Sequence, residues 1–361
     1  MNNHKKTVVV GMSGGVDSSV SAYLLKEKGY KVIGLFMQNW QSEPGEVCSS
    51  EIDFKDASKV CDILDIPLHR ANFSDDYWEK VFKFFLSEHK KGRTPNPDIL
   101  CNREIKFKAF LEYAFKIGAD LIATGHYADL VKEDNRTYLK RAIDEDKDQT
   151  YFLHEVKESD FEKCLFPLSN LNKSEVRKIA EKLNLPIANK KDSVGICFIG
   201  ERNLKNFLGK FMSFTKGEIL DEKNNLIGKH QGVPLYTIGQ RQRLNIGGLK
   251  NKEELPWYVY DKDTKKNILY VCQGLNNKKL MQDGLKINNI SWINDKAITY
   301  PLECSVQVRH QHKPVQCRLN KEKDMYKVTF SEQIRAITPG QSAVFYKDNI
   351  CLGGGIIDES F

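Results

Sequence analysis

"TVVVGMSGGVDSSVSAYLLKEKG", residues 7–29, decides the fold. Thr7 to Val10 are β-formers in a run that suits a buried parallel strand, and residues 17–28 space their apolar side chains as a helix does. Between them lies a loop of small residues, Gly11, Met12, Ser13, Gly14, Gly15 and Val16. Glycines in that position let backbone N–H groups converge on an anion, and the helix N-terminus adds partial positive charge. The lysine of the common G-x-x-x-x-G-K-[ST] loop is missing, so a transferred γ-phosphate is a poor fit. Ser13 and Ser18 can donate to phosphate oxygens, whereas Asp17 repels a bare phosphate and makes sense if Mg²⁺ bridges the two. The loop suits a β,γ-pyrophosphate leaving as the α-phosphorus is attacked; a plain Gly-Gly turn is the alternative.

Working outward, strand and helix alternate. Strands are expected at 31–37, 66–73 and 121–125, and helices at 54–65, 76–92 and 105–119. That rhythm predicts an α/β domain with a parallel sheet covered on both faces, its ligands beyond the carboxyl ends of the strands. The loop, Met37 and the Gly125-His126 pair all fall at such ends. Beyond residue 200 a short helix (203–211) gives way to many short strands, which suggests a small β-domain and then a barrel. The expected division is 1–200, 201–275 and 276–361.

A chain of 361 residues with 40% hydrophobic and 29% charged residues is a multi-domain globular protein. No apolar run approaches a membrane span, and "MNNHKK" leads into a strand without a signal-like cleavage site, so a cytoplasmic chain with no membrane partner is expected. A monomer is also expected. The net charge of +7 is uneven: residues 1–200 carry 30 basic and 31 acidic residues, residues 201–361 carry 25 and 17. That excess fits a polyanion partner or an ordinary solvated basic face. Nine cysteines with no C-x-x-C disfavour a zinc site or a disulfide framework.

Two cysteines stand in unusual company. In "GRTPNPDILCNREIKF" (92–107), Pro95 and Pro97 stiffen a loop that presents Asn96 and Asp98 to a base edge or ribose. Cys101 then opens a helix beside Arg103 and Lys106, a setting that lowers a thiol pKa; a buried structural cysteine is the competing reading. In "KDSVGICFIGERN" (191–203), Cys197 lies between glycines with Lys190, Lys191 and Arg202 nearby. Two thiols in one chain with a pyrophosphate-releasing loop suit replacement of oxygen by sulfur, one carrying a persulfide and the other assisting attack or releasing the sulfur by forming a disulfide.

The loop resembles that of the N-type ATP pyrophosphatases, which activate an oxygen by adenylylation. The segments "GMSGGVDSSVSAYLLKEKGY", "TPNPDILCNREIKF", "ATGHYA", "DQTYFLH", "DSVGICFIG" and "GQRQRLNIGG" occur in the order found in the tRNA-specific 2-thiouridylases, and the chain resembles that family along its whole length. The resemblance implies ATP binding by Gly11 to Ser18, Met37 and Gly125, with Mg²⁺ held through Asp17. It implies contact with the target uridine by Asn96, Pro97 and Asp98, and with tRNA by His126, Lys147, Asp148, Gln149, Arg309, His310 and Gln341. Cys101 corresponds to the nucleophile and Cys197 to the persulfide carrier, which a sulfur-donating protein would load. A small-molecule ligase of the same fold and a catalytically silent tRNA-binding protein are the alternatives.

Overall fold

The computed structural model of the chain describes residues 6–40, 49–192, 204–247, 255–294 and 298–361. Its first part contains β1 (Thr7–Met12), β2 (Lys31–Gln38), β3 (Leu68–Asn72), β4 (Leu121–Ala123), a hairpin of β5 (Asp129–Glu133) and β6 (Arg136–Lys140), and the short β7 (Cys164–Leu165). All but the hairpin form one parallel sheet in the order β3-β2-β1-β4-β7. The order reverses at β1, so β1 and β4 flank the crevice where α/β folds bind ligands.

Helices cover both faces: α1 (Val16–Glu27), α2 (Ser49–Leu64), α3 (Ser74–Tyr77), α4 (Lys83–Lys90), α5 (Pro97–Leu100), α6 (Phe110–Lys116), α7 (Thr150–Leu153), α8 (Glu158–Phe161) and α9 (Lys173–Lys182). Wider helical turns at Trp78–Phe82 and Cys101–Ala109 join α3 to α4 and α5 to α6. The strand period of two sends Val8 and Val10 into one core, with Val20, Phe36 and Val176, and Val9 into the other, with Leu35, Phe82 and Phe110.

After α10 (Leu204–Leu208), a second sheet of β8 (Gly217–Leu220), β9 (Leu226–His230), β10 (Trp257–Asp263) and β11 (Ile268–Gln273) runs in the order β10-β11-β8-β9 over a small core of Ile219, Val259, Leu269 and Val271. The last part comprises β12 (Met281–Ile287), β13 (Ser291–Trp292), β14 (Leu302–Gln307), β15 (Val315–Glu322), β16 (Met325–Arg335), β17 (Ser342–Lys347) and β18 (Ile350–Ser360). Six of these close a barrel, β12-β16-β15-β14-β17-β18 and back to β12, around Leu285, Val306, Leu319, Val328 and Phe345. Closure leaves no free barrel edge except where β18 also pairs with β6, which fastens the barrel to the first domain. No helix among the described residues is long and apolar enough to cross a membrane.

Candidate functional site

β1 stops at Met12 and α1 starts at Val16, leaving Ser13, Gly14 and Gly15 as the turn between them. Gly14 sits at φ +73° with its α-carbon against the Asp53 carbonyl, where no side chain fits. The Ser13 and Ser18 hydroxyls lie 3.1 Å apart, and Ser18 Oγ accepts from the Ser13 N–H at 3.2 Å. Gly125, just beyond β4, approaches so closely that a Cβ there would lie 2.8 Å from the Ser18 nitrogen. The two strand-end loops therefore touch backbone to backbone. Gly11, Met12, Val16 and Met37 are buried around and beneath the turn, while Ser13 is exposed. Asn39, just past β2 and 1% exposed, has neither end of its amide hydrogen-bonded among the described residues. A buried unpaired amide is costly unless a ligand completes it, which fits a nucleotide site at these strand ends.

The cation absent from the loop arrives from far along the chain. Lys173, first residue of α9, places Nζ 2.8 Å from each Asp17 oxygen and 2.7 Å from Asp192. Lys190 donates to the Gly14 carbonyl at 3.0 Å and pairs with Asp53 at 2.8 Å and Asp56 at 2.7 Å. The Tyr127 hydroxyl donates to Asp17 at 3.0 Å. Burial alone would raise the Asp192 carboxyl, but the ammonium groups of Lys173 and Lys147 outweigh it and bring it down to about 2. Burial likewise opposes the Lys190 charge, and the Asp53 and Asp56 carboxylates reverse that, raising it. Asp17, expected to face Mg²⁺, thus has both oxygens on Lys173, and no group of three or more His, Cys, Asp or Glu able to hold a metal occurs among the described residues.

The cysteine segment differs from its expectation. The helical run starts at Pro97, not at Cys101: Asn96 caps it, its side chain accepting from the Asp98 N–H at 3.1 Å. Cys101 is one turn in, away from the positive end, and has no exposed surface. Arg103 pairs with Glu104 at 2.8 Å and Glu155 at 2.7 Å. Lys106 lies 3.5 Å from His126 Nε2, and Thr124 Oγ1 is 2.8 Å from His126 Nδ1. Burial first, then the Lys106 charge, holds His126 well below its ordinary value, so the imidazole is neutral. Cys197 lies outside the described residues.

The remaining polar candidates all have partners within the protein. Lys147 pairs with Asp192 at 2.9 Å, and Gln149 accepts from the Tyr127 N–H at 3.0 Å. Asp148 is buried and accepts from Arg141, Ala142 and Thr150 at 3.1, 3.0 and 2.6 Å. Burial raises its carboxyl in spite of those donors. Arg309 and His310 stand beyond the end of β14 rather than along a strand, because that ladder stops at Gln307. Arg309 donates to the carbonyls of Ile238 at 2.8 Å and Ala336 at 3.1 Å, and His310 Nε2 lies 3.0 Å from the Asp148 carbonyl. Segments 147–149 and 309–310 therefore meet, as do Gln341 and the Thr94 carbonyl at 2.7 Å.

Lys173 and Tyr127 are the site residues that sequence reasoning missed. A signal existed: Asn172 and Glu175 form a capping box before an amphipathic run, and a lysine in a first helical turn opposes the helix dipole.

Residues 6–201 match the family described as tRNA methyl transferase HUP domain, residues 205–273 the tRNA methyl transferase PRC-barrel domain, and residues 282–357 the aminomethyltransferase beta-barrel domain. The chain is similar to the tRNA-specific 2-thiouridylase MnmA of Blochmanniella pennsylvanica, 52% identical over 362 residues and 99% of each chain. It is equally similar to that of Proteus mirabilis, 52% identical over 99% of this chain and 98% of the other. Among solved structures, the U34-tRNA thiolase NcsA from Methanococcus maripaludis aligns with 51% of this chain and 58% of its own, at 21% identity and a TM-score of 0.35.

Proposed function

The chain belongs to the tRNA-specific 2-thiouridylase family, and from that premise we propose how its residues exchange the O2 oxygen of a tRNA wobble uridine for sulfur. The observation that carries the reading is the cradle after β1, with Ser13, Ser18, Lys173 and Lys190 gathered on one glycine-rich turn. The family's methyl-transfer labels fit it less well, because two lysines on a strand–turn–helix suit a triphosphate.

In this reading the uridine O2 attacks the α-phosphorus of ATP and pyrophosphate leaves along Ser13, Gly14, Gly15, Val16 and Ser18, its charge met by Lys173 and Lys190. Gly11, Met12, Met37 and Gly125 shape the floor under the nucleotide. Lys173 would meet the pyrophosphate by exchanging its bonds to Asp17 and Asp192, and Lys190 by exchanging those to Asp53 and Asp56; Asp17, so released, would be the carboxylate placed to face Mg²⁺. Asn96, Pro97 and Asp98 receive the base, which must leave its stack to enter. His126, neutral and 7% exposed, borders that path. The outer sulfur of a Cys197 persulfide attacks C2 and AMP departs. The Cys101 thiolate then attacks the Cys197 sulfur; the S–S bond breaks toward the base, freeing 2-thiouridine and leaving a Cys101–Cys197 disulfide. A thiol reductant returns two electrons and resets the pair, and a sulfur-donating protein reloads Cys197. Lys147, Asp148, Gln149, Arg309, His310 and Gln341 hold the rim on which tRNA rests. The setting is the cytoplasm and the acting species a monomer.

The sealed position of Cys101 favours one competing reading, a ligase of this fold whose cysteines are structural. Purified protein given ATP, tRNA and a sulfane-sulfur donor (a cysteine desulfurase with cysteine), with the nucleosides then weighed, separates them. The thiolation reading expects 2-thiouridine that depends on ATP and disappears in Cys101→Ser and in Cys197→Ser; undiminished product from the double serine variant would sink it.

A further inference from the structure

The three domains meet around a cavity of about 230 Å³. Each contributes one glycine to the joint, and each glycine abuts the next domain. Gly92 of the first lies against the Thr264 side chain of the second, and Gly239 of the second against Ala336 of the third, where a Cβ would come within 2.6 Å. Gly340 of the third lies against Thr94 of the first, where a Cβ would come within 2.7 Å of the Thr94 nitrogen. Hydrogen bonds close the same triangle. Thr94 donates its N–H to Pro339 at 3.0 Å, its hydroxyl is 3.3 Å from that of Thr237, and Arg309 ties Ile238 to Ala336.

The walls are basic: Lys91, Arg93, Lys262 and Lys279 against a single acid, Asp261. Two of these charges are already answered. Arg93 pairs with Glu88 and Asp358, and Lys91 with Glu88. Lys262 and Lys279 have no ion pair among the described residues; Lys262 is half-buried and donates to the Tyr236 carbonyl at 2.8 Å, and Lys279 stands over the Tyr260 ring. Burial pushes the Lys262 ammonium down to about 8, the mark of a cation short of a counter-charge, which an anion beside it would relieve.

We propose that this three-domain cavity binds a phosphate group through Lys262 and Lys279, and that the phosphate belongs to the RNA backbone. The placement favours RNA over a free phosphate. The cavity wall at Lys91, Gly92 and Arg93 ends two residues before Pro95 and three before Asn96, so a backbone phosphate held here fixes the strand close to the segment that receives the base. The site lies outside the nucleotide cradle. Its RNA source rests on the tRNA reading above, whereas its phosphate chemistry does not.

The test uses the full chain with the cradle saturated by a non-hydrolysable ATP analogue. Inorganic phosphate is titrated by phosphorus NMR, and an anticodon stem-loop RNA is titrated at several salt concentrations. For Lys262→Met/Lys279→Gln the proposal expects at least tenfold weaker binding of inorganic phosphate. It also expects a salt slope for RNA shallower by about one, as loss of one phosphate contact dictates. Weaker phosphate binding with an unchanged RNA slope overturns the RNA source and keeps the site. Unchanged binding of both overturns the site. Failure of the wild type to bind RNA at all overturns the tRNA reading, and the phosphate titration still decides the site. Should the double variant not fold, Lys279→Gln, an exposed position, carries the same titrations with a severalfold effect expected.

Discussion

The turn after β1 and the helical run that carries Cys101 belong to one domain, yet the structure treats them in opposite ways. The turn is assembled and open: Ser13 is exposed, Gly14 and Gly125 are in place, and Lys173 and Lys190 are already there. The cysteine run is closed, with Cys101 at 0%, Asn102 at 2% and Ile105 at 0% exposure. A site made of strand-end backbone is fixed by the sheet itself. A thiol one turn into a helix is covered by whatever packs on that helix, so sulfur chemistry there requires the covering segment to part. On the proposed reading, the nucleotide step is preformed and the sulfur step is not.

The largest effect that would sharpen this contrast comes from Lys173→Ala. Removing the cation beside Asp17 should lower tRNA-dependent pyrophosphate release about 10²–10³-fold, the loss typical of one charge-stabilising donor. An assay of released pyrophosphate that found near wild-type rates would show that the cradle is not the preformed half. Next is Gly125→Ala, whose Cβ would press on the Ser18 nitrogen. Its expected outcome is a roughly tenfold higher KM for ATP and an overpacking cost of about 1–3 kcal/mol in urea unfolding.

On the closed side, His126 reports through pH. Its folded pKa lies below the ordinary 6.5, so the unfolded chain binds the proton first. The stability it contributes is present above about 6.5 and falls as pH drops, by about 1.4 kcal/mol per pH unit for one proton. Urea midpoints between pH 7 and 5 should decline less steeply in His126→Asn. The smallest effect is Asn96→Ala, which loses a helix cap and should cost about 1 kcal/mol. Equal destabilisation of the nucleotide site by that change, read from ATP binding, would break the division between the two regions.

What could be read beforehand follows the same division. Strand β1, Thr7–Met12, was legible as a buried parallel strand because four consecutive β-formers open it and glycines follow. The closed barrel and the parallel sheet were legible as patterns. The hairpin β5–β6 went unread because Asp134-Asn135 turns it inside a polar stretch, and its purpose, pairing β6 with β18, is a contact across more than 200 residues. Lys173 went unread because its local signal, a lysine in a capped first helical turn, marks it as unusual without naming Asp17 as its partner. The resemblance makes Asp148 and Arg309 tRNA contacts, and each side chain also has partners within the protein: Asp148 is buried on Arg141, Ala142 and Thr150 of its own domain, and Arg309 joins Ile238 to Ala336. Polar residue type alone does not say whether the partner is solvent, ligand or the next domain.

The central claim is that nucleotide activation and sulfur transfer are separate acts of separate regions. The direct test measures pyrophosphate and 2-thiouridine in the same reaction for Cys101→Ser, supplied with ATP, tRNA and a sulfane-sulfur donor that loads Cys197. The account predicts that pyrophosphate is still released, at least once per enzyme, while 2-thiouridine is not formed. Loss of both together, or continued formation of 2-thiouridine, would contradict it.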